Sequence, residues 1–276
     1  MQLDIDSELG KKSAYDANYN ADKLFPIPRL EKRLEIGIDP NQLPFYGFDS
    51  WNHYEVSWLN PKGKPIVAVA EITYDCASPN IIESKSLKLY FNSFNNTVFN
   101  NISEVEEVIK RDLEARLDVQ VSVNVLQLGK KMPIPLDYSF SGESIDDLDV
   151  TCDTYTVDAR FLQVESTLVE ETLYSDLLKS NCLVTFQPDW GSVQIHYQGP
   201  KINREGLLKY LVSFRNHNEF HEQCIERIFV DILRQCKPTV LTVYGRYTRR
   251  GGLDINPYRS THKPDQQLKP IRLPRQ

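Results

Sequence analysis

Ile82-Glu83-Ser84-Lys85-Ser86-Leu87-Lys88-Leu89-Tyr90-Phe91-Asn92-Ser93-Phe94-Asn95-Asn96 has a partner 120 residues further on, Ile202-Asn203-Arg204-Glu205-Gly206-Leu207-Leu208-Lys209-Tyr210-Leu211-Val212-Ser213-Phe214-Arg215-Asn216. Aligning Ser93-Phe94 with Ser213-Phe214 sets the offset, and Ile82 then meets Ile202, Leu87 meets Leu207, Tyr90 meets Tyr210 and Asn96 meets Asn216. The surroundings repeat in the same order. In the first half, residues 54–59 and 65–74 alternate around an Asn60-Pro61-Lys62-Gly63 turn and read as a hairpin. Helices follow over 83–94 and 103–117, the second with Ser103 and Glu106 spaced as a capping box, and then a strand over 119–126. In the second half, 182–186 and 192–197 read as strands, 205–214 and 220–236 as helices, and 239–244 as a strand ahead of which Pro238 stops the helix. Local identity and element order together indicate an internal duplication of a strand-strand-helix-helix-strand unit. Each copy predicts an antiparallel sheet with a helix pair on one face, an α+β fold. Residues 1–35 read as a polar N-terminal arm, 36–145 as the first module and 146–276 as the second.

The whole-chain quantities narrow the class. A chain of 276 residues with 41% hydrophobic and 25% charged residues can build a substantial core. Its net charge of −6 argues against a general nucleic-acid binder. Five widely spaced cysteines without a Cys-x-x-Cys pair argue against a disulfide framework or structural zinc and fit a reducing, cytoplasmic setting. The start, Met1-Gln2-Leu3-Asp4-Ile5-Asp6, is acidic and unlike a signal peptide, and no apolar run approaches the ~20 residues of a membrane span.

Four short stretches carry chemistry. Cys182 opens an apolar run that ends at Pro188-Asp189-Trp190-Gly191. An ionised thiol is a strong nucleophile, and a carboxylic acid beside it can move protons. An odd separation puts the two on opposite faces of one flat strand, so the pairing requires Pro188 and Gly191 to turn the chain. A buried structural cysteine and a turn-capping aspartate explain the same residues. Glu83-Ser84-Lys85-Ser86-Leu87-Lys88 opens a helix, where backbone N–H groups, Ser84 and Lys85 suit a phosphate; a solvated first turn is the alternative. In His217-Asn218-Glu219-Phe220-His221-Glu222 the two histidines have metal-helix spacing, but Asn218 stands where a zincin requires glutamate. Glu222 suits paired N–H donors of a flat heterocycle, and His221 suits its polar edge; exposed polar residues at a helix start are the alternative. Arg249-Arg250-Gly251-Gly252 lets backbone and guanidinium approach a phosphate together, or else forms a basic hairpin tip. No G-x-G-x-x-G after a strand and no Walker loop is present.

Together these stretches resemble the NADPH-dependent 7-cyano-7-deazaguanine reductases of queuosine biosynthesis, in their long two-module form. The resemblance rests on Glu83-Ser84-Lys85-Ser86-Leu87-Lys88-Leu89-Tyr90, Cys182 with Asp189, Phe220-His221-Glu222 and Arg249-Arg250-Gly251-Gly252, and runs from about residue 20 to the end. It implies tandem tunnelling-fold modules and a homodimer. It implies Cys182 as nucleophile and Asp189 as proton donor. Ile82, Glu83, Ser84, His221 and Glu222 would hold the deazaguanine, and Ser84, Lys85, Arg250 and Gly251 would contact NADPH. No metal, membrane or direct nucleic-acid partner is implied. The assigned nucleotide residues lie far apart in sequence, which requires modules or subunits to meet. A cyclohydrolase-like zinc enzyme and a purine- or pterin-binding module of the same fold are the competing readings.

Overall fold

The computed structural model describes residues 16, 18–129, 136–264 and 271–276. In chain order its elements are β1 (Pro26–Pro28), α1 (Leu30–Glu35), β2 (Tyr46–Leu59), β3 (Pro65–Asp75), β4 (Asn80–Ile82), α2 (Ser84–Asn92), α3 (Ile102–Leu117), β5 (Val121–Gln127), β6 (Glu143–Ser144), β7 (Val164–Ser175), β8 (Lys179–Asn181), β9 (Pro188–Ile202), α4 (Arg204–Val212), α5 (His221–Cys236), β10 (Val240–Tyr247) and β11 (Leu253–Ser260). Among the described residues, no helix is long and apolar enough to cross a membrane. The described residues form two compact units: 16, 18–30, 50–129 and 249–254 make one, and 31–49, 136–248, 255–264 and 271–276 the other.

In the first unit, strands run in the order β5-β3-β2, with β3 and β5 antiparallel from Ala68↔Gln127 to Tyr74↔Val121. Helix α2 starts because the Glu83 carboxylate accepts the Lys85 and Ser86 N–H groups at 2.8 and 2.7 Å. It buries Leu87, Leu89, Tyr90 and Phe91. Helix α3 is capped by Asn101, whose side chain accepts the Glu104 N–H at 3.0 Å, so the expected Ser103 capping box does not form. The cap lies two residues earlier because Asn101 already has the extended backbone a cap requires (φ −160°, ψ 173°).

In the second unit the order is β11-β10-β9-β7-β6, antiparallel except for the β6–β7 pair. Helix α5 packs on β9 and β10 and buries Cys224, Ile225, Ile228, Phe229 and Ile232. One turn along from Glu222, Glu226 joins a fully buried ion cluster. Arg33 meets it at 2.8 Å, Arg259 meets it at 2.9 Å, and Arg259 also reaches Asp49 at 2.8 Å. Two cations and two anions in one dry place satisfy each other's charge, which isolated burial of either would not.

The duplication is visible in the elements themselves. Helices α2 and α4 are each nine residues long and start 120 residues apart. Helices α3 and α5 are each sixteen residues long and end on left-handed Asp118 and Lys237. Tyr90 donates to Asp112 and Tyr210 to Asp231, both at 2.7 Å, and Ser93 and Ser213 bond back to the tyrosine carbonyls, both at 2.6 Å. Each unit is therefore an antiparallel sheet with a helix pair, the tandem arrangement that the repeat requires. The strand expected over 182–186 is absent, however. Residues 183–187 form a turn, and the second unit's leading strands are β7 and β9.

In the first unit, the turn after Arg250 takes positive φ at Gly251 (61°) and Gly252 (80°), a conformation that favours glycine. It is pinned by His53. The Nδ1–H of His53 donates to the Gly252 carbonyl at 3.2 Å, and the Tyr54 N–H donates to the same oxygen at 2.9 Å. Burial pushes the His53 imidazole down to about 4 from an ordinary 6.5. A group whose folded pKa is depressed in this way is neutral when folded, so its stability contribution is complete above pH 6.5 and is lost as pH falls toward 4. The gap corresponds to about 3 kcal/mol. Urea unfolding is expected to show wild type losing about that much more stability than His53→Asn between pH 7 and pH 4. Parallel curves for the two proteins would refute the buried neutral imidazole.

Candidate active site

The second unit gathers Cys182, Asp189, His221 and Glu222. Strands β8 and β9 pair antiparallel with Lys179↔Trp190, Ser180↔Asp189 and Asn181↔Pro188. The turn beyond is closed by the Cys182 N–H to the Gln187 carbonyl at 2.9 Å and the Phe186 N–H to the Cys182 carbonyl at 3.0 Å. Ser180 and Asp189 face the same side, and Cys182, two residues on, shares it. The odd spacing that separates the pair on one strand therefore unites it across a hairpin. The turn lies at 183–187, and Asp189 belongs to β9 instead of the Pro188-Gly191 turn expected from sequence. Both side chains are buried, Cys182 at 4% and Asp189 at 6% exposure.

Helix α5 brings the other two. His221 Nε2 lies 3.3 Å from Asp189 Oδ2. This contact is a close approach of potential charges without hydrogen-bond alignment, and neither ring nitrogen has a hydrogen-bond partner among the described residues. The imidazole lies flat on the Tyr247 ring, with centroids 4.0 Å apart and an interplanar angle of 17°. Tyr247 sits opposite Gly191 across the β9–β10 pair. A Cβ at 191 would meet that ring at 3.1 Å, so Gly191 is the residue that lets the tyrosine, and with it His221, settle against the sheet. Glu222 is buried at 2% exposure on the first turn of α5. The group offers a buried thiol and a buried carboxyl on one face, a ring with open polar edges, and a second buried carboxylate of a type suited to N–H donors. Lys179, which donates to Asn181 Oδ1 and the Arg215 carbonyl at 2.6 Å each, is pushed down by burial and by the Arg215 charge, against the pull of Asp189.

The first unit gathers Ile82, Glu83, Ser84, Lys85, Arg250 and Gly251. Ile82 and Glu83 are buried, and Ser84 and Lys85 are half-buried at the start of α2. The helix start is less open to a phosphate than the sequence implies, because Glu83 itself takes two of the N–H groups. Burial pushes the Glu83 carboxyl up, against the Lys85 and Ser86 N–H groups and the charges of Arg250 and Lys85. The charged side chains of this region that suit an anion are cationic: Lys85, Arg250, Arg249 lying 4.1 Å over the Tyr54 ring, and Lys88 at 3.2 Å from Glu55. The positive-φ Gly251 lies beside them, and a Cβ there would press on Lys88 at 3.2 Å. Cations around a close-approach glycine turn fit a phosphorylated nucleotide.

His217, the other half of the metal-helix spacing, is bonded to Glu219 at 2.9 Å, and no group of His, Cys, Asp or Glu with metal-site geometry occurs among the described residues. Sequence reasoning passed over Tyr247 and Gly191 as site residues. Their signal is the strand register, which pairs a glycine with an aromatic directly under α5.

Comparison with known proteins finds relatives along most of the chain. The family described as nitrile reductase, 7-cyano-7-deazaguanine-reductase N-term matches residues 15–125, and the QueF-like protein family matches residues 188–266. A Legionella pneumophila (strain Lens) protein named NADPH-dependent 7-cyano-7-deazaguanine reductase is 65% identical, over 92% of this chain and 90% of its own. Proteins of the same name from Polaromonas sp. and Coxiella burnetii (strain CbuK_Q154) are 57% and 53% identical, each over 93% of this chain and 93% and 92% of their own. A solved archaeosine synthase QueF-Like structure aligns with 36% of this chain and 99% of its own, at 17% identity and a TM-score of 0.31. Similar to those proteins along nearly its whole length, the chain belongs to the NADPH-dependent 7-cyano-7-deazaguanine reductase family.

Proposed function

We propose that this chain reduces the nitrile of 7-cyano-7-deazaguanine to the aminomethyl group, in queuosine biosynthesis, through a covalent adduct on Cys182. The observation that supports the residue roles is the shared face of Cys182 and Asp189, with His221 3.3 Å from the aspartate and Glu222 next in the chain. Cys182 Sγ bonds to the nitrile carbon, one π bond of the nitrile opens, and the nitrogen takes a proton from Asp189. The proton leaving the thiol restores Asp189, so the adduct, a thioimide, contains every atom of both partners. His221 hydrogen-bonds a polar edge of the base, and Glu222 accepts from its N–H groups. The family resemblance assigns Ile82, Glu83 and Ser84 to base binding as well. Bound NADPH supplies the hydrides of the four-electron reduction, and Ser84, Lys85, Arg250 and Gly251 are the residues that hold it. Their fit rests on the cationic cluster and the Gly251 turn. Burial of Cys182 and Asp189 keeps water from a carbon that would otherwise hydrolyse.

We further propose a cytoplasmic homodimer without direct nucleic-acid contact, with sequence modules over 36–145 and 146–276 after the arm at 1–35, a division of the sequence that the compact units cross at 31–49 and 249–254. The five widely spaced cysteines without a Cys-x-x-Cys pair and the net charge of −6 support the setting and the absence of a nucleic-acid role.

Addition expels nothing, so intact-mass measurement without NADPH is expected to show the protein heavier by one whole substrate. Cys182→Ala should give no adduct and no NADPH consumption while still binding the base. Asp189→Ala should slow adduct formation by about 10²–10⁴-fold. Turnover by Cys182→Ala at the wild-type rate would exclude the covalent route.

Arg250→Ala is expected to raise the Michaelis constant for NADPH about tenfold or more and leave that for the nitrile within about twofold, since a charge-assisted phosphate contact is worth about 1.5–3 kcal/mol. Initial-rate measurements with each substrate varied in turn check this. A change confined to the nitrile constant would remove Arg250 from the nucleotide site.

A further inference from the structure

Glu219 is a carboxylate at 1% exposure, two residues before His221 and three before Glu222. It accepts from His217 Nε2 at 2.9 Å, from Arg227 Nε at 3.0 Å and from Arg227 Nη2 at 2.9 Å. Burial pushes its carboxyl up, but the hydrogen bonds from His217 and Arg227 outweigh that and hold it below the usual carboxylate range. Its backbone grips the residue next to the nucleophile. The Asn181 N–H donates to the His217 carbonyl at 2.8 Å, and the Glu219 N–H donates to the Asn181 carbonyl at 3.0 Å. Both backbone groups of Asn181 are thus fixed by the segment 217–219, and Cys182 is the next residue.

The first unit supplies an internal control. Thr97 and Phe99, 120 residues before His217 and Glu219, hold Leu59, which lies 122 residues before Asn181. The Leu59 N–H donates to the Thr97 carbonyl and the Phe99 N–H to the Leu59 carbonyl, both at 2.9 Å. The backbone joint is therefore the same in both copies, but the position of Glu219 is held by Phe99, a core residue at 5% exposure. An apolar side chain suffices to make the joint. The buried charge occurs in the copy that carries Cys182.

We propose that Glu219, locked by Arg227 and His217, is a positioning residue for the nucleophile: it fixes Asn181, and through it Cys182, relative to the first turn of α5. A bidentate guanidinium–carboxylate pair sets distance and angle together, which an apolar contact does not. This rests on the role proposed for Cys182. The experiment follows adduct formation by intact mass without NADPH, base affinity in a Cys182→Ala background, and the NADPH Michaelis constant, in wild type, Glu219→Gln, Glu219→Asp and Arg227→Lys. Misplacement by a fraction of an ångström to about 1 Å should slow adduct formation about 10- to 100-fold in Glu219→Gln. Base affinity should stay within about fivefold and the NADPH constant within about twofold, because those contacts are separate from the joint. Glu219→Asp, which keeps the charge, should recover part of the rate, and Arg227→Lys, which keeps a cation without the fork, should fall between. If Glu219→Gln does not fold, Arg227→Lys carries the test, with a loss of about 3- to 10-fold in adduct rate expected. Adduct formation at the wild-type rate in the tested variant, or a rate loss matched by an equal loss of base affinity, overturns the positioning role. A wild-type protein that forms no adduct instead refutes the nucleophilic role of Cys182, a separate result.

Discussion

The pairing of Ser180 with Asp189 across β8 and β9 is the constraint on which the chemistry of the second unit depends. A thiol and a carboxyl seven residues apart in a single strand face away from each other. Folded back with this register, they share a face and are covered together. The register is kept at one end by the turn that bonds Cys182 to Gln187 and at the other by the Gly191 N–H bond to the Leu178 carbonyl at 2.9 Å. A slip by one residue would turn Asp189 to the opposite side of the sheet. Helix α5 is then the second wall. Its first turn supplies His221 and Glu222, and its later turns, from Cys224 to Ile232, are buried deeply enough to keep that turn in place.

The helices were the most legible part of the sequence. Apolar residues recur at helical spacing from Leu87 to Phe91 and from Cys224 to Leu233, and Pro238 marks where the second run must stop. The 120-residue repeat carried the rest of the architecture, because one reading of element order served twice. What failed was local. Leu183-Val184-Thr185-Phe186 has strong strand propensity, yet the chain turns there, with Phe186 at φ 57°, because closure between Cys182 and Gln187 outweighs propensity. Strand β7 went unread because much of it is exposed and carries glutamates and threonines without a clean alternation. Strand β11 contains Asn256-Pro257, which reads as a break, although the strand pairs with β10 from Tyr258 onward.

The site divides in the same way. Residue types pointed to Cys182, Asp189, His221 and Glu222, since a thiol, an acid and a His-Glu helix start each have a chemical use. The geometry that joins them was not legible, because a hairpin register and an aromatic stack are long-range facts. Glu83 shows the opposite case. The sequence suggests an open helix start, but a residue one position ahead of the helix fills it with its own carboxylate.

The two copies of the joint at Leu59 and Asn181 also differ in how they can change over time. Where Phe99 fills the joint, a neighbouring hydrophobe can replace it in a single step, with a modest loss of packing. Where Glu219 fills it, any first step leaves Arg227 or the carboxylate in a buried place without its main counterpart. Acceptable changes at 219 and 227 therefore arrive in pairs. Among descendants of this duplication, the first copy is expected to drift residue by residue, whereas positions 219 and 227 covary.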